Sequence, residues 1–531
     1  MRHFINRRRH CDDRFSHQSS SLKIAGIVGW LKAIRKPCNL GTTGLFLIGL
    51  LILTGNVRAD DDPAGPATTP AEPSSSSTTT TKAAQPPLPV PPVPAAFKHP
   101  GLLNSMEELQ FIKKKIAAGE EPWKSAFEQM KATKFAALNY KPHPHEQVSS
   151  GILGAGGAAG GAFDENDDAI AAYTQALMWI FTDNEQYAQN AVQILNAWSI
   201  LQGHGGPSWY LSPAWLASAW TEGAELIKST YPKWSADDIA KFSAMLDRAF
   251  LPELHNQMAY GNRELAVCNA LISIGVFNND RAAFAEGLAH WVSYVPCWIY
   301  LTSDGPTPRK PDYWLTSPSD DDLAKMDAGL FPDVKQSWIY SDQTTLTYDI
   351  KKKMGNDHTM LEGGDPGVLW YHAPASAYVD GLCSETFRDL GHCDLGLAQM
   401  INVAEIARHQ GIDLYGMDSK RITAFLEFES FLRTGDLIPK EFYSVQSTGT
   451  YATFEIAYNH YHNLMGMDLP KTGALVQQFI RPCIKKVPTV SVGWCSMQPD
   501  IGIRANQIAG PVDLDINWET LTHGELDAKG K

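Results

Sequence analysis

The stretch "SETFRDLGHCDLG", Ser384 to Gly396, is the one on which the fold turns. Taken as a helix, it puts Glu385, Arg388, Asp389 and His392 at i, i+3, i+4 and i+7, on one face. Leu395, Leu397, Met400, Val403, Ala404 and Ala407 follow, so the same helix runs on into a packed core. A core helix that opens with a stripe of titratable groups has two explanations. One is an internal ion-pair network at the helix start, and the other is a site at the end of a water-filled groove.

Working outward, helical signals dominate. Ser105 with Glu108 makes a capping box ahead of Leu109, Ile112 and Ile116, and Gly119 stops that helix. Pro122 opens another. A helix from about Asp167 through Tyr173, Leu177 and Ile180 is joined by the turn "TDNE" to a partner carrying Tyr187, Val192, Leu195 and Trp198. Ser235 and Asp238 cap a helix whose apolar face is Ile239, Phe242, Met245, Leu246 and Phe250. Further pairs are Glu264 to Ile274 with Arg281 to Val295, Glu385 to His409 with Ile422 to Leu432, and Phe454 to His462 with Lys471 to Ile480. Strand alternation is confined to "TVSVGW", Thr489 to Trp494. Serial antiparallel hairpins predict an all-α fold: an α/α toroid, an incomplete barrel of helical hairpins whose inner helices line a cleft, with long loops over it. The stretch Thr302 to Ser384 is a functional loop by its length. "GILGAGGAAGG", Gly151 to Gly161, lacks the Lys-Ser/Thr of a phosphate loop and reads as a loop over the cleft.

The 531 residues are 44% hydrophobic, enough for a substantial core. Lys plus Arg total 45 against 58 Asp plus Glu, a net charge of −13, which argues against nucleic acid as a partner. A polyanionic substrate remains compatible with a local basic cleft. Arg7, Arg8, Arg9, Lys32, Arg35 and Lys36 precede the apolar run Gly44 to Leu53 and the small-residue "VRA" at Val57 to Ala59, so residues 1–59 read as an export signal. The run falls short of the about twenty residues that span a bilayer, so no stable span is expected after cleavage; an uncleaved leader would act as an N-terminal anchor. The mature chain is expected to be secreted or periplasmic. Residues 60–96 are a disordered Ser/Thr/Pro-rich linker, 97–482 the toroid, and 483–531 a C-terminal extension of unclear fold.

Cys383 with Cys393, and Cys483 with Cys495, are spaced for local disulfides, while Cys268 and Cys297 could pair or stay buried and free. A continuous helix would hold Cys383 and Cys393 about 15 Å apart and make them free thiols. No zinc spacing occurs, and the sixteen histidines form no recognised metal motif, so neither metal nor cofactor is expected.

At "ETFRDLGHCDLGLAQMINVAEIARHQGIDLYG", Glu385 to Gly416, and "GNRELAVCNALISIGVFNNDRAAF", Gly261 to Phe284, the chain resembles the alginate lyase superfamily of polysaccharide lyases. "HPGLLNSMEELQFIKKKI", "YLTSDGP" and "FEIAYNHYH" extend the resemblance over about His99 to Pro470. It implies an α/α toroid and β-elimination at a uronic acid of an anionic polysaccharide, alginate foremost. That chemistry needs donors to neutralise the uronate carboxylate, a base at C5 and an acid at O4.

By the same resemblance Asn262 is the carboxylate-binding amide, with helix capping as its alternative role. Arg388 supplies charge, and His392 is the candidate base or a donor to the enolate. Tyr300 is the proton donor, with Tyr313 as second candidate. Glu264 and Glu385 are protonated neutralisers or partners of arginines, and Tyr458, Asn459 and His460 complete the cleft. Trp209 is a sugar platform with Tyr210, whereas Trp215 and Trp220 at helical spacing belong to the core. One branch of the family carries His directly after the Asn and Tyr beyond the Arg; this chain has Arg263 and Leu395. Its base and acid must come from elsewhere. The rival readings are a glycoside hydrolase using Glu264 with Glu385 or Asp389, and a binding protein without turnover.

Overall fold

Helices in the computed structural model begin and end where side chains can satisfy the open backbone groups of helix termini. Residues 89–149, 160–205, 212–255, 261–306, 308–309, 375–387, 390–434, 439–442, 454–481 and 518–526 are described. In α1 (Met106–Ala118) the Ser105 hydroxyl accepts from Glu108 N, the Glu108 carboxylate accepts from Ser105 N, and Gly119 closes the helix in the left-handed region. Pro122 precedes α2 (Trp123–Lys131). Asn184 caps α4 (Glu185–Trp198), which returns along α3 (Ala162–Thr182). Next come α5 (Ser212–Thr230), α6 (Ala236–Ala249) capped by Ser235, and the short α7 (Leu251–Leu254). The turn at Asn279 and Asp280 joins α8 (Asn262–Asn278) to α9 (Arg281–Trp298). Beyond it lie α10 (Leu390–His409), α11 (Leu414–Met417) and α12 (Ser419–Thr434). Helices α13 (Phe454–Tyr458) and α14 (Pro470–Leu475) each run on into a π-helical turn, and α15 (Glu519–His523) is the last among the described residues. Strands β1 (Gln147–Ser149) and β2 (Gly203–Gly205) pair in parallel. The expected strand at Thr489 lies outside the described residues.

Helices α3, α5, α8, α10 and α13 pack neighbour against neighbour, while α4, α6, α9, α12 and α14 return around them. Helix α15 with α1 and α2 bridges from α13 back to α3, so the ring is an α/α toroid. An inner helix meets protein on every side, which explains why α8 is buried almost throughout, polar Asn269 and Ser273 included. Trp215 and Trp220 of α5 are core residues, as their spacing suggests.

The C-terminal segment completes the wall. Trp518 Nε1 donates to Thr174 Oγ1 (3.0 Å), and Thr520 Oγ1 donates to Glu455 Oε1 (3.1 Å). Trp518, Leu521 and Leu526 join the larger hydrophobic cluster. Residues 518–526, expected to be part of an extension of unclear fold, are thus integral to the toroid.

The opening stretch departs from expectation. Helix α10 begins at Leu390, and Ser384 to Phe387 form a turn, so the stripe is not one helical face. Thr386 Oγ1 accepts from Cys383 N (3.1 Å) and donates to Glu429 Oε1 (2.9 Å), which folds the segment back before the helix starts. The spacing argument against contact between Cys383 and Cys393 therefore fails: both are free and buried, with their sulfurs 3.2 Å apart.

Candidate active site

Because inner helices run in one direction around the ring, their N-termini gather at one end, where the long connections also arrive. The first residue of α8 sits there. Gly261, its N-cap, has φ 62° and ψ −150°, a conformation open to glycine and little else. Its N–H donates to the Tyr294 hydroxyl. Asn262 is the first helical residue and not the cap, which corrects its alternative role. Asn262 N donates to Glu385 Oε2 (2.6 Å) and Asn262 Nδ2 to Glu385 Oε1 (2.8 Å), with Trp298 Nε1 3.4 Å from Oε2. The carboxylate of Glu385, only 1% exposed, thus lies against the positive end of a long helix, where negative charge is favoured.

Behind this clasp, Glu264 is fully buried with His290 Nδ1 2.9 Å from its Oε1. Burial works to lower the His290 pKa, but the Glu264 carboxylate overcomes it and raises the ring above its ordinary value. Burial, and then the charges of Glu385 and Glu264, push the Tyr294 phenol well up, so it keeps its proton. His290, Tyr294 and Trp298 recur every fourth residue on α9, a polar-tipped stripe of residues that had not been named as site candidates. That spacing was the available signal for them.

Helix α10 packs against α8, and His392 lies half-buried on its first turn. The structure therefore gathers Asn262, Glu264, Glu385 and His392 at one end of two neighbouring inner helices. A second wall of that end, at the start of α3, holds further buried acids. Glu165 Oε1 lies 3.0 Å from His204 Nε2, and Asp168 accepts from Trp198 Nε1 (2.6 Å) and Tyr140 OH (2.7 Å).

Other expected residues lie elsewhere. After α9 the chain turns back beside α12, from Trp298 against Phe425 to Asp304 against Arg421 (2.7 Å). Tyr300 rides on that strip, its hydroxyl donating to Gly305 O and its ring 5.2 Å from Tyr378. The Tyr300 backbone N, two residues beyond the Trp298 that reaches Glu385, donates to Leu382 O (2.8 Å). Tyr458 packs over Gly473 of α14 and against His462, on the outer side of α13. The His460 ring stacks on Tyr415 at 3.6 Å, beyond the C-terminus of α10, so it belongs to the opposite end of the ring. Arg388, Tyr313 and Trp209 lie outside the described residues.

Two groups of side chains bring potential metal-ligand atoms together among the described residues: Cys383, Cys393 and Glu429; and Glu108, Glu405 and His409. Each already contains a cation, since Arg433 lies against Glu429 (3.2 Å) and Arg408 bridges Glu108 and Glu405 (2.6 and 2.5 Å). Among the described residues no helix is long and apolar enough to cross a membrane.

No family model and no curated protein matches the chain. Among solved structures it is similar to alginate lyase A1-III from Sphingomonas species A1, with 13% identity and TM-score 0.44 over 70% of this chain and 92% of that one. A variant of A1-III complexed with tetrasaccharide gives 12% identity and TM-score 0.41 over 70% and 90%. An alginate lyase from Bacteroides ovatus gives 14% and 0.41 over 68% and 92%.

Proposed function

We propose that the chain is an exported polysaccharide lyase that cleaves a uronic-acid polymer, alginate foremost, by β-elimination. The observation that carries this reading is the clasp at the start of α8. Glu385 accepts from both Asn262 N and Asn262 Nδ2 and so fixes the amide at the positive end of α8. An amide nitrogen has two hydrogens, and one is engaged by Glu385. The other can meet a second carboxylate, that of the substrate.

In this reading a uronate carboxylate docks at Asn262, with Arg388 adding charge. His392, on the neighbouring first turn, takes the C5 proton. Electron density then moves onto the carboxylate, where the Asn262 N–H and the α8 terminus stabilise it, and the C4–O4 bond breaks with proton delivery to O4. The product carries a C4–C5 double bond at its new non-reducing end. Glu264 and Glu385 are withdrawn from solvent and engaged by His290 and Asn262, which disfavours the hydrolase alternative, since that chemistry needs two carboxyls facing the sugar. Export rests on the basic and then apolar leader of residues 1–59.

The test is incubation of the purified mature chain with polymannuronate, polyguluronate and glucuronan separately, following absorbance of the conjugated unsaturated uronate. A rise identifies β-elimination and the substrate. New reducing ends without absorbance indicate hydrolysis, and binding without either indicates a carbohydrate-binding protein.

A further inference from the structure

The thiols of Cys383 and Cys393 meet at a place the proposed reaction does not use. Cys383 ends the extended segment that pairs with Ile299, and Cys393 sits in the first turn of α10. The Cys383 thiol donates to Cys393 Sγ at 3.2 Å, and both side chains are enclosed. Of the other described cysteines, Cys268 is buried in α8 and Cys297 donates its thiol to Ser293 O.

We infer that Cys383 and Cys393 are joined by a disulfide in the mature protein, bolting the turn that carries Glu385 to the helix turn that carries His392. The sulfurs need to close from 3.2 Å to about 2.05 Å, a movement within the reach of side-chain torsions. Closing the bond removes weak thiol hydrogen bonds, among them that of Cys393 Sγ to Thr386 Oγ1 at 4.0 Å, while Thr386 Oγ1 keeps its acceptor role toward Cys383 N and its donor role toward Glu429, which Arg433 also holds. The competing occupant of such a cluster, a metal ion on Cys383, Cys393 and Glu429, would have to share the site with the Arg433 guanidinium, itself hydrogen-bonded to Glu429 and Asp394. Burial, chiefly, holds both thiols in the protonated form, so exchange in the folded protein is slow and the bond is set as the chain folds.

Chemically, two thiols lose two protons and two electrons and form one S–S bond. The oxidant is the disulfide of a thiol–disulfide oxidoreductase, which is reduced to its dithiol through a mixed-disulfide intermediate. The bridge closes a short loop of the chain, and Arg388 lies between its ends.

That arginine makes the experiment direct. The full chain, produced by export into an oxidising compartment, is unfolded in the presence of an alkylating agent without reductant, digested with trypsin and analysed by mass. Cleavage after Arg388 separates the two cysteines, so a bridge leaves two peptides travelling as one mass, about 2 Da below their sum, that split on reduction. In C383S the Cys393 peptide is expected to appear fully alkylated, and in C393S the Cys383 peptide likewise. Full alkylation of both cysteines in the wild type overturns the inference. So does a linkage of either one to Cys268 or Cys297. One equivalent of zinc in the wild type, lost in C393S, overturns it in favour of a metal site. The readout is independent of any activity, so it can fail while the lyase reading stands, and the converse.

Discussion

Substituting Gly261 with Ala tests the clasp. At φ 62° and ψ −150° an L side chain strains the backbone by about 1–3 kcal/mol. The added Cβ would also lie 2.7 Å from Glu385 Cδ and Oε1 and 2.8 Å from Oε2, closer than real contacts permit. Glu385 must then leave Asn262, and two hydrogen bonds to a buried charge are lost, together about 3 kcal/mol or more. The total is about 5 kcal/mol. Gly411→Ala is the control: φ is 84°, but a Cβ there meets nothing within 4 Å, so only the backbone cost of about 1–2 kcal/mol applies. Urea unfolding of both variants, extrapolated to water, is expected to separate them by about 3 kcal/mol. Equal losses would refute the claim that Glu385 fills the space above Gly261. Turnover of whichever uronate polymer the absorbance test selects should fall with stability in the Gly261 variant alone, because only that residue abuts the proposed site.

Arg433 donates to Asp394, Glu429 and Leu390 O with no exposure, so Arg433→Leu strands two buried carboxylates and should cost about 4 kcal/mol in the same unfolding assay. Two groups make the fold acid-labile in separate windows. Burial alone would raise Glu108, but His409 and Arg408 hold it at about 2 against 4.5, so its contribution is full above pH 4.5 and lost as pH falls toward 2. Burial lowers His460 to about 4 from 6.5 against the pull of Glu405; its neutral ring stabilises fully above pH 6.5, and that is lost as pH falls toward 4. Each is worth about 3 kcal/mol, and melting curves from pH 7 to 2 should lose the lower step in Glu108→Gln and the upper one in His460→Phe. If either variant keeps the wild-type pH slope, that assignment is wrong. For catalysis, His392→Ala is expected to lower kcat by about 10² or more, while Tyr300→Phe stays within about threefold; the reverse order would restore Tyr300 as the acid.

Much of the hairpin pattern was legible because its signals are local. Ser105 with Glu108, Asn184 and Ser235 each satisfy a helix start within a few residues, so chain order alone reveals them. The site was legible in part. Asn262, Glu264, Glu385 and His392 were named from a helical face and a resemblance, and they do gather at one end of α8 and α10. The face itself was not there, because Thr386 folds the chain back at Cys383 before the helix begins.

What the sequence by itself determined is therefore the periodicity: where apolar faces repeat, helices form and pair with their neighbours. Only the tertiary structure decided which ends meet. It set the Tyr300 ring against Tyr378, stacked His460 on Tyr415 beyond α10, brought His290, Tyr294 and Trp298 in behind Glu385, and set residues 518–526 into the gap between α13 and α3. Those contacts join residues far apart in the chain. Their free energy comes from burying a shared surface that exists only once the ring has closed, and no local spacing encodes it.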